Sequence, residues 1–164
     1  MGEIPVFFLH GLVYAGLLFL VSSGLTLVFG MMNVLNFAHA SFYMLGAYFS
    51  YSLLRITDSL WLSLLICPLL LFLLGALIER YLLRRVHVFG HLHELLLTFG
   101  LAYIIGELVK LTWGNYPLGV NLTGFLAETV NLFGLTYPVY RLFMFGCAVF
   151  ISLIMAAVLY KTRI

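Results

Sequence analysis

The sequence predicts an all-α fold: a polytopic helical membrane protein with about five transmembrane helices and a break near residues 30–37. Three observations carry this. Of 164 residues, 64% are hydrophobic and only 9% charged, where an ordinary soluble domain has roughly 45–50% and about 25%. Five apolar runs (4–30, 38–54, 60–83, 95–113 and 139–160) each come near the roughly 17–25 residues a spanning helix needs, the second being the shortest. The basic residues gather at the ends of these runs, which is the distribution that membrane orientation requires. Eight basic and six acidic residues cannot cover the apolar surface of a soluble globule, and a net charge of +2 so distributed gives no reason to expect a nucleic-acid partner.

The first run opens on "IPVFFLHGLVYAG" with no basic stretch before it and continues far past a signal-peptide length, so no cleaved signal is expected. Only "MMNVLNF" separates it from the second run. Residues 4–54 as one helix would be about 75 Å long, more than twice the hydrocarbon core. The chain must therefore turn where Asn33 and Asn36 stand, with Asn36 an expected N-cap for a helix beginning at Phe37. In the third run Pro68 is placed to kink the helix. Gly11 with Ala15 and Ala102 with Gly106 have the spacing of helix-contact pairs. Cys67 and Cys147 lie inside apolar runs and read as buried thiols, not as a disulfide or metal pair.

Orientation follows from the loops. "ERYLLRRVHVFGHLHE" carries Arg80, Arg84 and Arg85, and the end of the chain carries Lys161 and Arg163. Both are expected to be cytoplasmic. Two spans separate them, so they fall on one side, which places the loop 114–138 outside and the N-terminus external.

The stretch "GMMNVLNFAHASFYMLGAY" sets Asn33, Asn36 and His39 three residues apart in an apolar setting. Polar side chains at membrane depth are costly and need a partner or a task. At about 100° per residue, Asn36, His39, Tyr43, Gly46 and Ser50 share roughly 80° of a helix circumference, with Asn33 beside them. Phe37, Phe42 and Phe49 point elsewhere. Such a face meets protein or a water-filled path. Two readings stay open: a lining of a translocation path, or a cap with interhelical hydrogen bonds.

The block "GLTLVFGMMNVLNFAHASFYMLGAY", followed by "ERYLLRR", "LLLTFGLAYIIGELVKLTWG" and "YPVYRLFMF", resembles the permease subunits of branched-chain amino acid ABC importers. The resemblance covers essentially the whole chain in order and spacing. It implies a single transmembrane permease domain over 1–164 in a bacterial inner membrane, transporting branched-chain or related amino acids. Its implied partners are a companion permease subunit, two cytoplasmic ATPase subunits and a periplasmic amino-acid-binding protein. No cofactor is implied. The sequence lacks a Gly-rich phosphate loop with Lys, so ATP hydrolysis is expected on another chain. Three departures stand out. Ala40 replaces a usual Gly, Gly106 replaces a common polar amide, and the chain ends at "YKTRI", where family members continue, so a truncated permease is expected.

Glu107 and Lys110 are three apart in the fourth run, spaced for an internal ion pair or a gating role. His87, His91 and His93 with Glu94 invite a metal reading, but membrane di-iron enzymes need several such boxes and this chain has one, so no metal site is expected. An intramembrane metalloenzyme and a non-transporting scaffold are the rival function classes. Asn121-Leu122-Thr123 matches a glycosylation sequon, which a bacterial chain leaves without use.

Overall fold

A computed structural model describes residues 4–33, 35–120, 124–132 and 135–162; the sequon and Arg163 lie outside these. Six helices follow in order: α1 (Ile4–Met32), α2 (His39–Thr57), α3 (Leu60–Ile78), α4 (Arg84–Val86), α5 (His91–Trp113) and α6 (Val139–Thr162). A π turn, Glu79–Leu83, joins α3 to α4, and a 3₁₀ turn, His87–Phe89, follows α4. The long elements match the apolar runs because a chain in lipid must satisfy its backbone polar groups internally.

Four helical stretches are long and apolar enough to cross a membrane: Ile4–Met31, Leu60–Phe89, His91–Trp113 and Val139–Lys161. The fifth long helix, α2, has 19 residues, about 28 Å at 1.5 Å per residue. It reaches span length, but its polar side chains leave it less apolar than the others. One further difference from the expected pattern is a short hairpin before α6. There β1 (Thr129–Leu132) and β2 (Leu135–Pro138) pair antiparallel, with Val130 opposite Tyr137.

The chain divides into two compact units, residues 25–118 and residues 1–24 with 119–164, and the boundary falls within α1. In the first unit α2 and α3 form a helical hairpin joined by Asp58 and Ser59. Asp58 takes a left-handed conformation (φ 49°) with its N–H bonded to the Leu54 carbonyl, which stops α2. The Ser59 side chain accepts from the Leu62 N–H and starts α3, as a serine N-cap does. Gly46 sets the approach of the two helices. A Cβ there would lie 2.9 Å from Leu71 Cδ1, and the Cys67 thiol donates to the Gly46 carbonyl at 3.2 Å. The edge of the expected polar stripe that holds Gly46 thus faces α3. The helix continues through Pro68.

Against its other side α2 packs on α5. Leu45, Ile105 and Val109 are buried together, with Met44, Tyr48, Phe49, Leu101 and Trp113 around them. Three hydrogen-bonded pairs between the chain at α2 and α5 (Phe37–Thr98, Ser41–Ala102, Ser52–Trp113) all have a sequence separation of 61. A constant separation means that the two helices run parallel. α3 supplies the return crossing that this requires.

In the second unit Gly16 of α1 meets α6, where a Cβ would touch Ala148 Cβ and Phe145 at 3.4 Å. Gly16 and Gly46 are therefore contact glycines. A Cβ on Gly11 or Gly106 would have nothing within 4 Å, so neither expected small-residue pair makes a close approach there. The spacing rule identifies helix faces, but it does not say which small residue meets a neighbour.

Gly46→Ala is expected to be tolerated, because Leu71 Cδ1 is the mobile end of a side chain. Gly46→Ile is expected to destabilise the fold by about 1–3 kcal/mol through overpacking. Thermal unfolding of the detergent-solubilised protein checks both, and equal effects would show that α3 does not approach at Gly46.

Candidate functional site at the α1–α2 break

The interruption lies between Met32 and His39, and both asparagines have local reasons to be there. Asn33 adopts a left-handed conformation (φ 53°) with its N–H on the Phe29 carbonyl. Among non-glycine residues, Asn enters that region most readily, and it ends helices in this way. Asn36 makes the following turn. Its side-chain Oδ1 accepts from the Ala38 N–H at 3.0 Å, and its carbonyl accepts from the His39 N–H at 3.1 Å. Regular helix starts at His39, not Phe37, and Ala38 occupies the cap position with no side-chain cap bond. The expected N-cap is thus corrected to a side-chain turn two residues before the cap position, because Asn36 Oδ1 bonds to the Ala38 N–H and not to the first turn of a helix.

The rest of the break is held from α5. Thr98 is fully buried. Its Oγ1 accepts from the Phe37 N–H at 3.3 Å and lies 3.3 Å from the Leu35 carbonyl and 3.1 Å from its own-helix Leu95 carbonyl. One hydroxyl proton serves those two acceptors. Phe37 and Phe99 meet edge to face beside it, centroids 6.5 Å apart. Further along, the Ser41 hydroxyl donates to the Ala102 carbonyl at 3.4 Å, and the Trp113 indole N–H donates to Ser52 Oγ at 2.8 Å. Thr98 and Trp113 escaped reading as site residues. The signal for Thr98 was a lone hydroxyl in the apolar run "LLLTFG".

These contacts sort the polar stripe. Ser41, Leu45, Tyr48 and Ser52 face α5 and Gly46 faces α3. His39, Tyr43, Ala47 and Ser50 lie opposite the α5 side, on the arc that begins beside Gly46, at about 100° per residue. Tyr43 is 56% exposed, and His39 and Ser50 are partly exposed. None of these three side chains bonds to another described residue. Phe49 instead packs on Trp113, ring centroids 6.2 Å apart. Asn33 stands at the end of α1, Asn36 in the break and His39 at the head of α2, and Tyr43 and Ser50 continue along the face of α2 turned away from α5.

The other candidate residues lie apart from this face. Lys110 Nζ donates to Glu107 Oε1 at 2.7 Å, on the side of α5 turned away from α2. The histidine cluster centres on Glu94, which is 2% exposed in the first turn of α5. His87 Nδ1 contacts Glu94 Oε1, and His91 Nδ1 lies 3.4 Å from Oε2. His93 instead meets the Phe89 ring. Among the described residues no group of three or more His, Cys, Asp or Glu is placed to hold a metal ion. A carboxylate in the first turn suits the positive end of the helix dipole. Near the start of α6, Arg141 Nη1 donates to His10 Nδ1 at 2.7 Å, which fixes that nitrogen as an acceptor, and the buried Tyr137 hydroxyl lies 3.1 Å from it.

The family model described as branched-chain amino acid transport system / permease component matches residues 7–164. The chain belongs to that family. No curated protein and no solved structure matches it. The family makes this permease component a transport protein and not an enzyme, as its apolar helices and its sequence resemblance lead one to expect. The deciding match covers both units and the whole of the α1–α2 break.

Thr98→Val keeps the side-chain shape and removes the hydroxyl, leaving the Phe37 N–H and the Leu35 carbonyl without it. A loss of about 1–3 kcal/mol is expected, with Thr98→Ser close to the parent. Hydrogen exchange at residues 35–39 reads the effect. Unchanged protection in Thr98→Val would show that the break does not depend on this clamp.

Proposed function

We propose that this permease component forms one wall of the translocation pathway of an ABC importer for branched-chain or related amino acids. The observation that carries the proposal is the face of α2 turned away from α5. His39, Tyr43 and Ser50 line it, directly after a helix break. Side chains that only glued helices would be spent on a neighbouring helix, as Ser41 and Ser52 are on α5. A polar row left over in so apolar a chain suits a wet path or a facing subunit. A helix that starts inside the membrane also turns free N–H groups and a positive dipole end toward its surroundings, an arrangement that suits anionic substrate groups.

In this reading 1–164 acts as a single permease domain of a bacterial inner membrane. A companion permease supplies the second wall, two cytoplasmic ATPase subunits supply the energy, and a periplasmic binding protein delivers the amino acid. The N-terminus is external and the C-terminus cytoplasmic. Glu107 and Lys110 serve as an internally neutralised pair near the outer end of α5.

Asn36→Ala and His39→Leu test the path. Uptake of labelled leucine per assembled complex is expected to fall by about two- to tenfold, the equivalent of one lost hydrogen bond, with assembly unchanged. Normal uptake per complex combined with reduced assembly would assign these residues to helix contacts instead. Orientation has its own test. Single cysteines at His91 and Tyr116, in a background lacking Cys67 and Cys147, are expected to label from opposite sides. Labelling from one side overturns the topology.

A further inference from the structure

Across the π turn Glu79–Leu83 the backbone bond runs from the Arg84 N–H to the Glu79 carbonyl, five residues back. Residues five apart are thereby stacked, whereas in an α-helix they stand about 140° apart. The side chains follow the same register, and Arg84 Nε donates to Glu79 Oε1 at 2.7 Å. Arg80 and Arg85 are also five apart and stand beside this pair, Arg80 with its guanidinium 5.9 Å from the centroid of the Tyr81 ring. Both are exposed, and neither has an acidic partner among the described residues. The other nearby acid, Glu94, is buried and turned to His87 and His91. Two exposed guanidinium groups at this turn are therefore without a counter-ion among the described residues.

Beside them stand three apolar side chains open to the surroundings: Val88 at 85% exposure, Phe89 at 68% and Leu92 at 67%. These residues lie where one stretch long and apolar enough to cross a membrane, Leu60–Phe89, ends and the next, His91–Trp113, begins, which is the height of the lipid headgroups. We propose that Arg80 and Arg85 clamp the phosphate of an anionic phospholipid, with Val88, Phe89 and Leu92 against its acyl chains. Guanidinium groups bind phosphate through paired N–H bonds, and basic segments at the ends of spans attract anionic headgroups. Free phosphate satisfies the arginines but leaves the apolar side chains bare. A phospholipid matches both. The Glu79 carboxylate already occupies Arg84 and leaves it out of the clamp.

The test is competition binding of a fluorescent phosphatidylglycerol to the purified full chain in detergent, with phosphatidylcholine and inorganic phosphate as competitors. Preference for phosphatidylglycerol over phosphatidylcholine is expected to fall about fivefold in Arg80→Gln or Arg85→Gln and about thirtyfold in the double variant. Arg84→Gln is expected to change nothing, and Glu79→Gln, which frees Arg84, to strengthen binding. Should the double glutamine variant fail to fold, the singles and Arg80→Lys/Arg85→Lys decide. The lysine pair keeps both charges and is expected to bind within about fivefold of the parent. The proposal is overturned if the preference survives both single substitutions, or if inorganic phosphate displaces the probe as well as phosphatidylglycerol does. It is overturned equally if the substitutions abolish ATPase-subunit binding while lipid binding stays intact.

Discussion

A backbone that leaves the helix among apolar side chains exposes N–H and C=O groups that lipid cannot satisfy, and each such group costs several kcal/mol if left alone. The α1–α2 break answers this with three side chains. Asn33 stops one helix and Asn36 turns the chain, while Thr98 reaches in from α5 to the Phe37 N–H and toward the Leu35 carbonyl. The buried Thr98 hydroxyl is the long-range member of this set. Without it the break would rest on local bonds alone, and the head of α2 would have no polar tie to α5 at that level.

Fixing that end also fixes the register of α2 against α5. Ser41 on Ala102 and Trp113 on Ser52 repeat the separation of 61 set by Phe37 and Thr98, so the helices stay aligned over their whole shared length. α3 takes the second side of α2, where Gly46 removes the Cβ that would meet Leu71. One side of α2 is then committed by hydrogen bonds and one by close approach. The polar residues that remain lie beside the Gly46 contact, on the face turned away from α5.

Charge is handled locally in the same unit. Glu79 pairs with Arg84, Glu107 with Lys110, and Glu94 sits between His87 and His91. Each pair is close in sequence, so no long-range ion pair is needed to hold the helices together. The pairings also leave Arg80 and Arg85 without an acidic partner among the described residues, unlike the arginine between them.

The sequence by itself determined the helical membrane class, the positions of the long helices and the existence of the break. All three follow from apolar run length and from the reach of the bilayer, quantities that are additive along the chain. The family was likewise legible, since its blocks lie in order across the chain. Helix ends were less so. α5 begins at His91, four residues before its apolar run, because a first turn is closed by bonds to Gly90 (φ 99°) and needs no hydrophobicity. The hairpin before α6 carried no readable signal. Only the tertiary structure decided which side of α2 each polar residue occupies, and that Thr98 holds the break. It also decided that Gly16 and Gly46, not Gly11 and Gly106, are the points of close approach. Periodicity places residues on a helix face. Which neighbour covers that face depends on contacts between residues about 61 positions apart, and a pattern read along one strand of sequence holds no record of them.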